Sequence, residues 1–214
     1  MLSNDEINAL IGSDGNFTGN KIKILIVEDS PNINLLYNRG LPDSIFEKRF
    51  AANGHDALVC YNEWQPDIII LDIMLPVMTG YSVLKEIRSK FNDKSTTIIM
   101  STSLNKKDDV TLMMKQGIQG YIVKPFSVRE IGDRILKYYE KIDHTRASAA
   151  LIACRRYLEA MARDAFKPET PVKEPPLKKP VEKKEEKTEG KKEEKKEENQ
   201  DIKDKEESAD EKKE

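Results

Sequence analysis

Long apolar runs are missing from this 214-residue chain. No stretch approaches 18 consecutive apolar residues, so no membrane-spanning helix and no membrane insertion are expected. The first residues lack the basic start and apolar core of a secretory signal. Cysteine is scarce: Cys60 and Cys154 make neither a disulfide framework nor a zinc knuckle. Two histidines, His55 and His144, leave little for a histidine-based metal site. Net charge of one sign is also lacking. A formal charge of −2 gives no general attraction to nucleic acid, and none is expected as a partner. These absences point to a reducing cytoplasm.

Charge itself is abundant, at 35% of residues against about 25% in an ordinary domain. The excess is local. Residues 167–214 hold 15 Lys and 17 Asp+Glu, together with Pro168, Pro171, Pro175, Pro176 and Pro180. That composition reads as a stiff spacer followed by a disordered polyampholyte tail, too poor in apolar residues to build a core. The first 166 residues carry ordinary charge with no net sign, and suffice for one domain with a core.

Residues 21–141 alternate apolar strands with helices. Strands are expected at Ile22–Val27, Phe46–Ala51, Asp67–Leu71, Thr97–Thr102 and Tyr121–Val123. Helices are expected from Pro31 to about Gly40, and at Asp56–Glu63, Thr79–Lys90, Asp108–Gln116 and Val128–Lys141. Continuous apolar strands between helices predict a doubly wound, five-stranded parallel α/β sheet. Residues 1–20 read as a short helix and a flexible linker. Ser3 and Glu6 form a capping box, and Gly12–Asn20 is rich in Gly, Ser and Asn. So short a helix is marginal alone and is expected to fray or to fold on a partner. Residues 142–166 read as an additional helix, with a heptad-like seam of Ala147, Leu151, Cys154, Leu158, Met161 and Ala165. The seam either packs on its own domain or pairs with a partner.

In doubly wound sheets the site lies at the carboxyl ends of the strands. Here those ends carry Glu28 and Asp29, then Asp72, Thr102 and Lys124. Convergent carboxylates repel unless a cation intervenes. Mg²⁺ suits such oxygen donors, and a carboxylate beside it can attack a phosphoryl group. Lys124 and Thr102 can then meet the phosphoryl oxygens.

At this point the chain resembles the receiver domains of two-component response regulators. The resembling stretches are VEDS at 27–30, ILDIMLPVMTG at 70–80, IIMSTS at 98–103 and GYIVKPF at 120–126. The resemblance covers residues 21–141 and implies a flavodoxin-like receiver fold. It implies Asp72 as phosphoacceptor and Asp29 as a direct Mg²⁺ ligand. Glu28 then acts through water, and the Met74 backbone carbonyl completes the shell. Thr102 and Lys124 correspond to the switch hydroxyl and the phosphate-binding lysine, Tyr121 to the aromatic that swings inward. Lys124-Pro125 corresponds to a cis peptide, and Gly80 to the glycine closing the loop after the acceptor strand. Met74 departs from the commoner polar residue, which implies slower access of water. The Gly40 and Pro42 interruption changes the helix on which kinases of the family dock.

A shorter stretch, LSNDEINALI at 2–11, resembles the N-terminal peptide of flagellar motor switch proteins. It implies a partner-binding face of Leu2, Ile7, Leu10 and Ile11. The two resemblances together imply a phosphoacceptor switch rather than an enzyme. Its only chemistry is self-catalysed phosphotransfer and dephosphorylation. The expected donor is a histidine kinase or small phosphodonor. The expected targets are a motor switch or other regulator protein, in chemotaxis or flagellar control. Self-association through residues 1–12 or 142–166 is a further expectation. The alternative is a phosphorylation-regulated adaptor acting through the 142–166 helix and the tail. An aspartyl-nucleophile phosphatase is disfavoured, because Met74 stands where such enzymes carry a second Asp.

Overall fold

A computed structural model describes residues 4–103, 111 and 113–165. Its sheet has five parallel strands: β1 (Ile22–Val27), β2 (Phe46–Ala51), β3 (Ile68–Asp72), β4 (Thr97–Thr102) and β5 (Gly120–Val123). Their order is β2-β1-β3-β4-β5. This is the doubly wound, flavodoxin-like arrangement expected. The order reverses between β1 and β3, and that switch point opens a crevice at the strands' carboxyl ends. β3 and β4 are buried throughout, as central strands covered on both faces must be. β2 lies at the edge, and its FEKRFA sequence leaves the middle of the strand exposed or half-buried.

Among the described residues the helices with both ends visible are α1 (Asn4–Ala9), α2 (Pro31–Gly40), α3 (Gly54–Trp64), α4 (Gly80–Lys85), α5 (Val128–Tyr139) and α6 (His144–Ala165). On one face α2, α5 and α6 cover Ile22, Ile24, Ile68, Ile70, Ile99 and Ile122. On the other, α3 and α4 cover Leu25, Val27, Ile69, Leu71, Ile98 and Met100. The alternation of these two sets along each strand follows from the two-residue period of strand side chains. Among the described residues, no helix is long and apolar enough to cross a membrane.

The helix expected over Thr79–Lys90 begins with Thr79 as N-cap, its Oγ1 accepting from the Ser82 amide at 3.3 Å. Regular winding stops at Lys85, and Glu86–Lys90 forms a wider π-type turn. Arg88 on that turn donates to the carbonyls of Gly117, Asp93 and Thr96 and to Gln119 Oε1. Those acceptors lie outside the helix, and they tie this turn to the segments before β4 and β5. The fourth expected helix is helical at 111 and 113–115; the rest of its first turns, and the whole tail, lie outside the described residues.

The two ends of the described chain pack together. Gly12–Asn20 is a folded loop rather than an open linker. Ile11 bridges to Phe17, the Thr18 amide donates to the Leu10 carbonyl, and Phe17 is buried in the core. Ile7, Leu10 and Ile11 pack against the same core, and α1 lies on α6. Leu2 lies outside the described residues.

α6 packs back on α5. Ala147, Ala149, Ala150, Ala153 and Cys154 are buried, Leu151 and Leu158 half-buried, and Met161 exposed. The buried strip is therefore wider than the heptad seam and shifted toward the alanines. Gly132 on α5 permits this approach: a Cβ there would stand 2.7 Å from Cys154 Sγ. At the start of α6, Arg146 forms a two-pronged ion pair with Asp67, 3.2 Å on each side. The same guanidinium donates to Tyr139 Oη and to the Lys21 carbonyl. This clamp ties α6 to the amino ends of β1 and β3, the end of the sheet opposite the carboxylates.

Candidate functional site

Four of the five strand ends deliver side chains to the crevice. β1 runs straight into Glu28 and Asp29, β3 ends on Asp72, β4 ends on Thr102, and Lys124 follows β5. Glu28, Asp72 and Thr102 are buried while Asp29 is exposed, so the cluster has one open side. Carboxylate oxygens of Glu28, Asp29 and Asp72 all lie within 4.8 Å of one another. Lys124 Nζ sits between two of them, 2.5 Å from Glu28 Oε2 and 2.6 Å from Asp72 Oδ2. The Lys124-Pro125 peptide is cis.

Three carboxylates against one ammonium leave a formal excess of two negative charges. Burial raises the Glu28 carboxyl above its ordinary range, and the Lys124 contact only partly offsets this. Burial also opposes the charge on Lys124. Its hydrogen bonds to Asp72 and Glu28 outweigh that cost and raise the ammonium above its usual value. A cluster of hard oxygen donors with two surplus charges and an open side fits Mg²⁺. Nitrogen or sulfur donors of the kind zinc prefers do not take part in it.

The supporting contacts keep this geometry. The Met74 amide donates to Asp72 Oδ1 at 3.2 Å, while the Met74 side chain points to solvent. The Gly80 amide donates to the Ile73 carbonyl and closes the loop that follows Asp72. Asn34 Nδ2 on α2 donates to the Glu28 carbonyl at 3.0 Å. The Lys124 amide donates to the Thr102 carbonyl at 2.8 Å, which couples the ends of β4 and β5. Tyr121 is half-buried against the α3–α4 side of the core, and its carbonyl accepts from Tyr138 Oη. The structure thus brings Glu28, Asp29, Asp72, Thr102 and Lys124 to one end of the sheet, with Met74 beside Asp72. Ile7, Leu10 and Ile11 pack instead against the half of the core under α2, α5 and α6.

Sequence reasoning passed over one buried polar pair. Tyr37 Oη on α2 lies 2.7 Å from Ser101 Oγ on β4. Burial holds the Tyr37 phenol well above its ordinary pKa, and the negative charges of Glu28 and Asp72 add to the effect. The signal was a serine inside the apolar run IIMST and a tyrosine on the inward face of a helix.

Comparison with known proteins agrees with this architecture. A profile of the response regulator receiver domain matches residues 24–136. The chain is 33% identical over 123 residues to the probable transcriptional regulator ycf27 of Porphyra purpurea, covering 58% of this chain and 49% of that protein. It therefore spans about half the length of that relative. It is 36% identical over 121 residues to the chemotaxis protein CheY of Listeria monocytogenes, covering 56% of this chain and 97% of that protein. Among solved structures it resembles the chemotaxis response regulator CheY4 of Vibrio cholerae. The TM-score is 0.50 at 31% identity, over 57% of this chain and 99% of that one. The family match begins within β1, ends within α5 and stops short of α6. Over that span the chain belongs to the response regulator receiver domain family of two-component signalling.

Proposed function

We propose that this chain is a phosphorylation switch whose acceptor is Asp72. The observation that carries the reading is the convergence of Glu28, Asp29 and Asp72 with Lys124 between two of them. An Asp72 carboxylate oxygen attacks the phosphorus of a donor. The donor's bond to phosphorus breaks and its electrons leave with the donor, so an acyl phosphate forms on Asp72. Glu28, Asp29, Asp72 and the Met74 carbonyl would hold Mg²⁺, which supplies positive charge against the phosphoryl oxygens. Lys124 exchanges a carboxylate oxygen for a phosphoryl oxygen, keeping a charge-assisted hydrogen bond throughout. Thr102 donates its hydroxyl to another phosphoryl oxygen, and Tyr121 follows inward. Attack by water on the acyl phosphate reverses the modification. Chelation tests the metal requirement. With acetyl phosphate as donor, EDTA is expected to abolish labelling and added Mg²⁺ to restore it; labelling that survives EDTA would contradict the reading.

The finer reading is a cytoplasmic switch in chemotaxis or motor control, phosphorylated by a histidine kinase or small phosphodonor. Its support is the similarity to CheY over nearly that protein's full length, and the 2–11 peptide. The ycf27 similarity covers only about half of a probable transcriptional regulator, and the described residues after α5 hold a single helix. Ile7, Leu10 and Ile11 pack against the chain's own core and α1 lies on α6, so a second molecule must compete with these contacts for the peptide. Sedimentation of the full chain and of a chain lacking residues 1–12 separates the cases. Acetyl phosphate and Mg²⁺ are expected to increase the sedimentation coefficient of the full chain alone. Equal behaviour would remove the peptide from the mechanism. The adaptor reading is favoured by the close α5–α6 packing at Gly132, which joins α6 directly to the receiver fold.

A further inference from the structure

The Tyr37–Ser101 pair has no part in the chemistry described above. Both residues are fully buried. Ser101 is the ladder partner of Asp72 across the β3–β4 pair. Partners in a parallel ladder project to the same side of the sheet. That side is the one under α2 and α5, because Ile99, two residues earlier, belongs to that half of the core. The Ser101 hydroxyl therefore stands one strand from the acceptor carboxylate, on its own side. The Tyr37 ring meets Phe126 with centroids 4.6 Å apart, and Phe126 closely follows Lys124. One phenol thus touches the strand that ends in Thr102 and the loop that begins with Lys124. Stability alone does not call for such a pair. An apolar pair of similar shape would be close to neutral, since a neutral buried hydrogen bond contributes little net. A hydrogen bond adds direction: it sets α2 against β4 at a defined distance and angle.

Building on Asp72 as acceptor, we propose that Tyr37 and Ser101 are a positioning pair. Their hydrogen bond and the ring contact to Phe126 hold Thr102 and Lys124 at the spacing the transferred phosphoryl group requires. Neither residue touches the reacting atoms. Small misplacements of groups around a reaction centre slow the chemical step steeply.

The test uses the full chain with acetyl phosphate and Mg²⁺, and compares Tyr37→Phe, Ser101→Ala and the double variant. Each single variant leaves one buried hydroxyl without its partner; the double variant leaves none, so its thermal midpoint should return toward wild type. The maximal labelling rate is expected to fall about tenfold in both single variants and to stay down in the double, with the half-saturating acetyl phosphate unchanged. A double variant that regains the wild-type rate as its midpoint recovers would make the pair merely structural and overturn the proposal. A single variant that labels at the wild-type rate would do the same, as would a change confined to half-saturation. Failure of the acceptor reading is visible separately, as wild type that takes no label or Asp72→Asn that labels equally well; either removes the positioning role with it.

Discussion

Asp72→Asn is expected to lower labelling by acetyl phosphate by at least about a hundredfold, and excess Mg²⁺ should not restore it. The substitution keeps the shape of the side chain and a hydrogen-bond acceptor for the Met74 amide, which Asp72 Oδ1 now receives. What it removes is the anionic oxygen that attacks phosphorus. Asp29→Asn is the matched control. It also removes one carboxylate from the cluster, but it leaves the nucleophile in place, so high Mg²⁺ should recover much of its rate. Lys124 retains Glu28 as a partner in the Asp72 variant, so folding should survive and circular dichroism should report a cooperative transition. Equal labelling of wild type and Asp72→Asn would discard the acceptor assignment.

Gly80→Ala is expected to destabilise the fold by about 3 kcal/mol and to slow labelling at least about tenfold. A Cβ at position 80 would stand 1.9 Å from the carbonyl oxygen of Asp72 and 2.9 Å from its carbonyl carbon. The obstacle is backbone in a central, fully buried strand, so no flexible side chain can yield. Relief requires the loop after β3 to move outward, which breaks the Gly80–Ile73 amide contact and shifts Asp72 itself. Urea denaturation measures the first effect and the labelling rate the second. Full stability in the alanine variant would show that the loop relaxes freely and that its geometry does not hold the acceptor.

Much of the sheet was legible because β1, β3 and β4 are largely buried on both faces and so read as mostly apolar runs. The gathering of carboxylates was legible for a related reason: a parallel sheet puts all its carboxyl ends on one side. Other features depended on partners far away in sequence. The helix after Thr79 is expected to run to Lys90, but Arg88 reaches across β4 to Gly117 and Gln119, and Glu86–Lys90 is wound as a π-type turn. The composition of Gly12–Asn20 suggested an open linker, yet Phe17 is buried in the core beneath it.

By itself, the sequence determined which residues stand at the strand ends and that three of them are acidic. The succession of strands and helices along the chain and the apolar period are local properties; helical crossovers between successive strands make a parallel sheet, which puts Glu28, Asp29 and Asp72 at one end of it. Only the tertiary structure decided how that charge is partly offset, with Lys124 bridging Glu28 and Asp72 rather than pairing with Asp29. It also decided that α1 lies on α6, that α6 buries a strip of alanines against Gly132, and that Tyr37 meets Ser101. These are contacts between residues tens of positions apart. They follow from close packing of whole elements, where a missing Cβ or one buried hydroxyl decides which surfaces can meet.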